Sequence, residues 1–205
     1  MAVRFPRIEI CGGIASGKTT LANLLVNLDI LPVRENFRAN PFWRAFYADP
    51  IGTAFETEIS FLLQHYHDIK DASRLERLAA CDFSLYLDLS YAHVTLPPAK
   101  RKAFTAVYRE IEHELGVPSL LVHLNCHPKV ELDRIRRRGR KVEKPISLEY
   151  LEEINTNIGT VLAATKLTNQ IVKIDSDVLD FAHDKEAQDI VLKRIHQKLT
   201  ALDVV

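Results

Sequence analysis

Apolar positions along the chain switch repeatedly between a two-residue alternation, which suits strands, and a spacing of three and four, which suits helices. Arg7-Ile-Glu-Ile-Cys11 is a short β-type run that stops at Gly12-Gly13. Leu21, Leu24, Leu25 and Leu28 then predict a helix over Thr20–Leu28, closed before Pro32, and Leu31–Arg34 reads as a second short strand. Pro41–Leu78 is helical with a break near Asp49-Pro50, and Leu62, Leu63, Tyr66 and Ile69 give it one apolar face. Residues 82–89 fit either the start of a helix or the end of a strand.

Further along, Ala99–Leu115 is an amphipathic helix with Gly116 as its C-cap. Pro118 precedes Ser119–Leu124, a run apolar enough for a buried strand. Pro128–Arg138 and Leu148–Leu167 are helical, Ile171–Ile174 is the last strand and Lys185–Leu202 the last helix. Ala187, Ile190, Val191, Ile195 and Leu199 form the core-facing stripe of that helix. Strands that alternate with helices imply a parallel sheet covered on both faces. The fold class is therefore α/β, with three layers and a sheet of about five strands. Residues 1–205 read as a single domain, without repeats, low-complexity tracts or a dividing linker.

Composition acts mainly by exclusion. Lys plus Arg and Asp plus Glu balance at 27 each, which argues against a sequence-independent nucleic-acid binder. Cys11, Cys81 and Cys126 have no metal or disulfide spacing, so a reducing cytosol is expected. The opening MAVRFPRIEI lacks the apolar core of a secretion signal, and no stretch is long enough to span a membrane. His65 and His67 lie two apart and point to different helix faces, which disfavours a shared metal.

The chemistry is concentrated in Gly12-Gly-Ile-Ala-Ser-Gly-Lys-Thr-Thr20, a complete G-x4-G-K-[ST] phosphate loop. Gly12, Gly13 and Gly17 let the backbone curl so that the N–H groups of Ile14, Ala15, Ser16 and their neighbours face one anion. The helix that follows adds its positive dipole end, with Thr20 in its first turn. Lys18 would reach the β- and γ-phosphates and Thr19 would place a hydroxyl on Mg2+. A strand before the loop and an amphipathic helix after it give the motif its required context.

Arg134-Ile-Arg-Arg-Arg-Gly-Arg-Lys141 packs six cations into eight residues. Beside a phosphate loop, and without net positive charge, it reads as a lid of about residues 134–145 that closes over ATP. Arg138 and Arg140 would hold the transferring phosphoryl group, and Arg136 would bind ATP. No Asn-Lys-x-Asp motif is present, which favours a small-molecule kinase over a signalling GTPase.

Taken together, these segments resemble the deoxynucleoside kinase family from Ile8 to about Phe181. The resemblance rests on the phosphate loop, Val33-Arg-Glu-Asn36, Asn40-Pro-Phe, Phe46-Tyr-Ala-Asp-Pro50 and Phe55-Glu-Thr-Glu-Ile-Ser-Phe-Leu62. It continues in Arg134-Ile-Arg-Arg-Arg-Gly-Arg-x-x-Glu143, Tyr150-Leu-Glu-Glu and Ile174-Asp-Ser-Asp-x-x-Asp-Phe181. It implies a P-loop kinase fold, a homodimer, and ATP-dependent, Mg2+-requiring phosphorylation of a deoxynucleoside 5′-hydroxyl. Glu35 would be the base, Tyr47 and Glu143 would hold the sugar 3′-hydroxyl, and Asp82 would help Thr19 hold the metal.

Two positions depart from the family pattern. Glu58 stands where a base-reading glutamine is usual, and Asp82-Phe-Ser84 replaces an acid-Arg-Ser motif, so Phe83 removes a cation. An ionised Glu58 would accept from both N1–H and N2–H of guanine, whereas a protonated one would imitate glutamine. A purine substrate, deoxyguanosine or deoxyadenosine, is therefore expected. The residues also fit a kinase of the same fold acting on another alcohol or on a nucleoside monophosphate, which Arg34, Arg38 and Arg44 would serve. Phe83 leaves room for a third reading, a nucleotide-binding module without catalysis.

Overall fold

A computed structural model describes residues 6–167 and 169–204 of the chain. Residues 1–5, part of the N-terminal stretch read as lacking a secretion signal, lie outside them. The strands are β1 (Arg7–Cys11), β2 (Leu31–Val33), β3 (Ala79–Cys81), β4 (Leu120–Asn125) and β5 (Ile171–Asp175). They form one all-parallel sheet in the order β2-β3-β1-β4-β5.

Helices fill every crossover. Helix α1 is Lys18–Leu24, α2 Trp43–Ala48, α3 Pro50–Ser73, α4 Leu85–Thr95 and α5 Pro98–Leu115. Helix α6 is Pro128–Arg138, α7 Leu148–Ala163 and α8 Lys185–Ala201. Among the described residues none of them is long and apolar enough to cross a membrane.

Strand alternation sorts the core into layers. Ile8 and Ile10 of β1, with Leu120, Val122 and Leu124 of β4, pack against α1, the turn that follows it and α8 through Leu21, Leu25, Val191 and Ile195. The opposite face, carrying Cys11 and Leu121, packs against Ile154 and Ile158 of α7. Beside it, α3, α4 and α5 bury Leu62, Ile69, Phe83 and Phe104 in a further cluster. This three-layer arrangement is the fold expected from the sequence.

Several boundaries differ from the periodicity. Residues 82–89 lie after β3 and mostly begin α4, whose N-cap Ser84 accepts from the Tyr86 N–H. Strand β3 itself is three small residues, too short to show a period. After Leu24 the first helix tightens into a single 3-10 turn, Leu25–Leu28, which ends at left-handed Asp29. Helix α7 stops at Ala163 rather than Leu167, because the Thr165 hydroxyl donates to the Leu162 carbonyl and accepts from the Leu167 N–H.

Two side chains placed on apolar faces point outward instead: Leu63 is 47% exposed and Ile190 42%. The buried stripe of α3 runs through Glu58, Leu62, His65 and Ile69, so Leu63, a hundred degrees round from Leu62, misses it. On α8, Ala187, Val191, Ile195 and Leu199 are buried and leave Ile190 at the margin.

One face of β1 carries Arg7 and Glu9, both inside the protein. Arg7 Nε donates to Glu9 Oε1 at 2.9 Å, and its other nitrogens donate to the Leu115 and Gly116 carbonyls at 3.2 and 2.7 Å. Glu9 Oε2 accepts from Ser84 Oγ at 2.9 Å and from the Leu85 N–H at 3.0 Å. Removing one member of a buried ion pair typically costs about 3–5 kcal/mol, because the other charge loses its compensation. Glu9→Gln should therefore destabilise the fold by about 3 kcal/mol or more in urea unfolding. A loss below about 1 kcal/mol, the size seen for surface pairs, would show that the pair is not what holds the α4 junction.

Candidate active site

Because all five strands run the same way, their carboxyl ends share one edge of the sheet. The order of connections reverses beside β1, which is where open α/β sheets hold ligands. The phosphate loop follows β1, Glu35 follows β2 and Asp82 follows β3. All three border one cavity of about 540 Å3, whose far wall is α3 and whose rim includes Arg134, Arg138, Arg140 and Glu143.

The loop is built as its glycines require. Gly17 caps α1 in the left-handed region at φ 104°, and a Cβ there would meet the Phe181 ring at 3.0 Å. A Cβ on Gly12 would meet the Leu124 carbonyl oxygen at 2.8 Å, and one on Gly13 would strike the Glu131 carboxyl. Lys18 Nζ donates to the Gly12 and Gly13 carbonyls at 2.9 Å each, folded back over its own loop. Ile14, Ala15, Gly17, Thr19 and Thr20 line the cavity, while Ser16 is buried inside the turn.

The cations of the 134–141 segment divide by partner. Arg134 Nη2 donates to the Ser176 carbonyl at 2.6 Å and its Nη1 reaches the Ala15 carbonyl at 3.4 Å, tying α6 to the phosphate loop and the end of β5. Arg138 meets Glu143 through Nε and Nη2 at 3.0 and 2.8 Å, and Arg140 reaches the same carboxylate at 3.3 Å. Arg136 is exposed and lies outside the cavity lining. Tyr47 lines the cavity, and burial first, then Glu143, pushes its phenol up to about 12.

Asp82 Oδ1 accepts from the Glu35 backbone N–H at 2.5 Å, which holds the ends of β2 and β3 together. A hydroxyl from Thr19 and a carboxylate from Asp82 on one cavity wall are hard oxygen donors, the chemistry that suits Mg2+.

Sequence reasoning missed the arrangement beneath Glu35. His65 Nε2 donates to Glu35 Oε1 at 3.3 Å, while Nδ1 donates to Asp88 Oδ2 at 2.8 Å. The imidazole lies flat on Phe83, with ring centroids 4.0 Å apart and planes 6° from parallel. Burial disfavours a charged His65, but Asp88 and then Glu35 outweigh it and raise the pKa to about 10. Burial would raise Glu35 too, yet the hydrogen bond and charge of His65 hold it below the ordinary carboxylate value.

Glu58 sits one heptad before His65 on the same face of α3 and is 5% exposed. Burial first, then the charge of Asp88, pushes it up to about 8. The Thr95 hydroxyl lies 2.9 Å from the Tyr91 carbonyl and 3.1 Å from Glu58 Oε1, both acceptors within its reach, and its hydrogen bond to Glu58 acts against the upward shift. A second missed group is Glu131, fully buried against Gly13, where Asn155 donates to one oxygen at 2.8 Å. Asp88 and Glu131 each carried a sequence signal, a lone carboxylate at a position that helical periodicity turns inward.

A family model described as deoxynucleoside kinase matches residues 8–200. The deoxyguanosine kinase of Bacillus subtilis (strain 168) is 27% identical over 194 residues, covering 92% of this chain and 91% of that one. The deoxyguanosine kinase of Lactobacillus acidophilus is 29% identical over 210 residues, covering 94% and 90%. The structure of a deoxyadenosine kinase from M. mycoides with bound dCTP superposes with a TM-score of 0.76 at 21% identity, over 95% of this chain and 99% of that one. With a phosphate loop, an Arg-rich segment and an acidic pocket along one sheet edge, and a family match over nearly its whole length, the chain belongs to the deoxynucleoside kinases.

Proposed function

We propose that this kinase, a cytoplasmic homodimer, transfers the γ-phosphoryl group of ATP to the 5′-hydroxyl of a purine deoxynucleoside. The observation that carries the reading is the placement of Glu35: it lines one cavity with Lys18 on the phosphate side and with buried Glu58 on the pocket side. A nucleoside held between them would offer its hydroxyl to the carboxylate and its base to Glu58. Relatives of this chain bear the names of both deoxyguanosine and deoxyadenosine kinases, which supports a purine.

In the reaction the acceptor oxygen forms a bond to the γ-phosphorus as the bond to the β-bridging oxygen breaks. Glu35 takes the hydroxyl proton, and ADP leaves with the electron pair. Lys18 and the loop N–H groups hold the phosphates, and Arg138 and Arg140 stand on the same cavity to meet charge on the equatorial oxygens. Thr19 and Asp82 would hold Mg2+, which would supply neutralisation of the phosphate charge. Tyr47 and Glu143 hold the sugar, and the aromatic walls formed by Trp43, Phe46 and Phe61 exclude water around the base.

The direct test is acceptor-dependent ADP release from MgATP across deoxynucleosides, ribonucleosides and monophosphates. Turnover should be highest with purine deoxynucleosides, and Glu35→Gln should lower kcat by about 10²-fold or more, the range for a lost general base. Full turnover in that variant would remove Glu35 from the chemistry. ATP binding without turnover on any acceptor would make the protein a binding module.

The charge on Glu58 sets a second expectation. Below about pH 8 its carboxyl is neutral and offers one donor and one acceptor, which match the N6–H and N1 of adenine. Above that it offers only acceptors, which match the N1–H and N2–H of guanine. The ratio of kcat/KM for deoxyguanosine over deoxyadenosine should therefore rise about tenfold between about pH 6.5 and about pH 8.5, the cost of one unsatisfied buried group. Using a ratio cancels every other titration shared by the two substrates. Glu58→Gln should flatten it, and a ratio that is already flat in the parent protein would exclude Glu58 from base reading.

A further inference from the structure

Glu35 follows the short edge strand β2 in a stretch with no helix to hold it, and its side chain remains 32% exposed. A carboxylate in that position can rotate away from an incoming hydroxyl, which lowers the fraction of encounters in which it can accept a proton. What restrains it comes from the opposite wall. His65 on α3 holds one carboxylate oxygen, Asp88 on α4 holds the other nitrogen of His65, and Phe83 supports the ring from below. His65 and Asp88 are 2% and 5% exposed, so neither can exchange its partner for bulk water.

We propose that Asp88 and His65 are positioning residues for phosphoryl transfer, a buried carboxylate–imidazolium pair that aims the Glu35 carboxylate at the acceptor hydroxyl. The logic is that of a base oriented by a second group which is itself fixed by a third. Here the base is a carboxylate and its orienter a cation, so the proton stays on Glu35 and never passes to His65. Burial alone would make imidazole neutral, and the two flanking carboxylates keep it charged. Phe83 fits the same scheme, since its ring offers the flat apolar face on which that imidazolium lies.

This inference rests on Glu35 being the base, and a double-mutant cycle separates the two. His65→Gln keeps most of the side-chain volume and a donor toward Asp88, while Asp88→Asn leaves His65 in place with a weaker hold. Circular dichroism melts select whichever variant folds. Each should lower kcat with the preferred deoxynucleoside, His65→Gln by about 10²-fold, the penalty for misplacing a reacting group by roughly an ångström, and Asp88→Asn by less. KM for ATP and for the nucleoside should stay within a factor of about two.

In a Glu35→Gln background the His65 substitution should cost almost nothing further, because its effect passes through Glu35. A merely structural role for His65 would reduce activity equally in both backgrounds and would overturn the inference. So would a raised nucleoside KM or a changed base preference at unaltered kcat, which would assign His65 and Asp88 to base recognition. If Glu35→Gln itself retains full turnover, the reading of Glu35 falls, and the positioning role falls with it.

Discussion

The site depends on an ion pair that lies outside the cavity lining. Glu9 lies in the central strand with no exposure, where a carboxylate without partners would be far too costly to keep ionised. Arg7, Ser84 Oγ and the Leu85 N–H answer that cost by occupying both oxygens of the carboxylate. In doing so they fix the first turn of α4 against β1, while the remaining Arg7 nitrogens fix the end of α5. Asp88 is one turn into that pinned helix. The geometry of the pocket floor is therefore set from the middle of the sheet rather than from the cavity.

A parallel sheet imposes the second constraint. Strands that all end on one edge bring the turns after β1, β2 and β3 together, although their residues are far apart in sequence. Asp82 turns this proximity into a fixed relation by accepting the Glu35 N–H, so Glu35 and Asp82 are placed by one hydrogen bond. The 134–143 segment is held by charge instead: Arg138 meets the buried Glu143 carboxylate through two nitrogens, and Arg140 reaches the same carboxylate.

How much of this could be read from the chain depended on whether the information was local. The phosphate loop is a local motif, and α6 begins and ends where Pro128 and Gly139 place it. The layer order and the long helices followed from periodicity. Strand β3 did not, because Ala79–Cys81 is recognisable as a strand only through its pairing with β1 and β2. His65 was harder still. On α3 it is one histidine two places from another, and its meaning comes from Glu35, Phe83 and Asp88, which lie 30, 18 and 23 residues away. Glu58 was visible as a departure, but whether it is charged is decided by its burial and by Asp88.

Phe83 shows why departures from a pattern have to be judged in pairs. The resemblance to the family expects an arginine at that position, and its absence alone reads as a lost cation and a weakened enzyme. In the folded protein a cation is present beside Glu35 nevertheless, carried on α3 by His65. The phenyl ring at 83 lies parallel to that imidazole with centroids 4.0 Å apart, and it offers a flat apolar surface for stacking without adding a second positive charge beside His65. The identities at 65 and 83 therefore have to be read together, because they leave a single positive charge next to the Glu35 carboxylate.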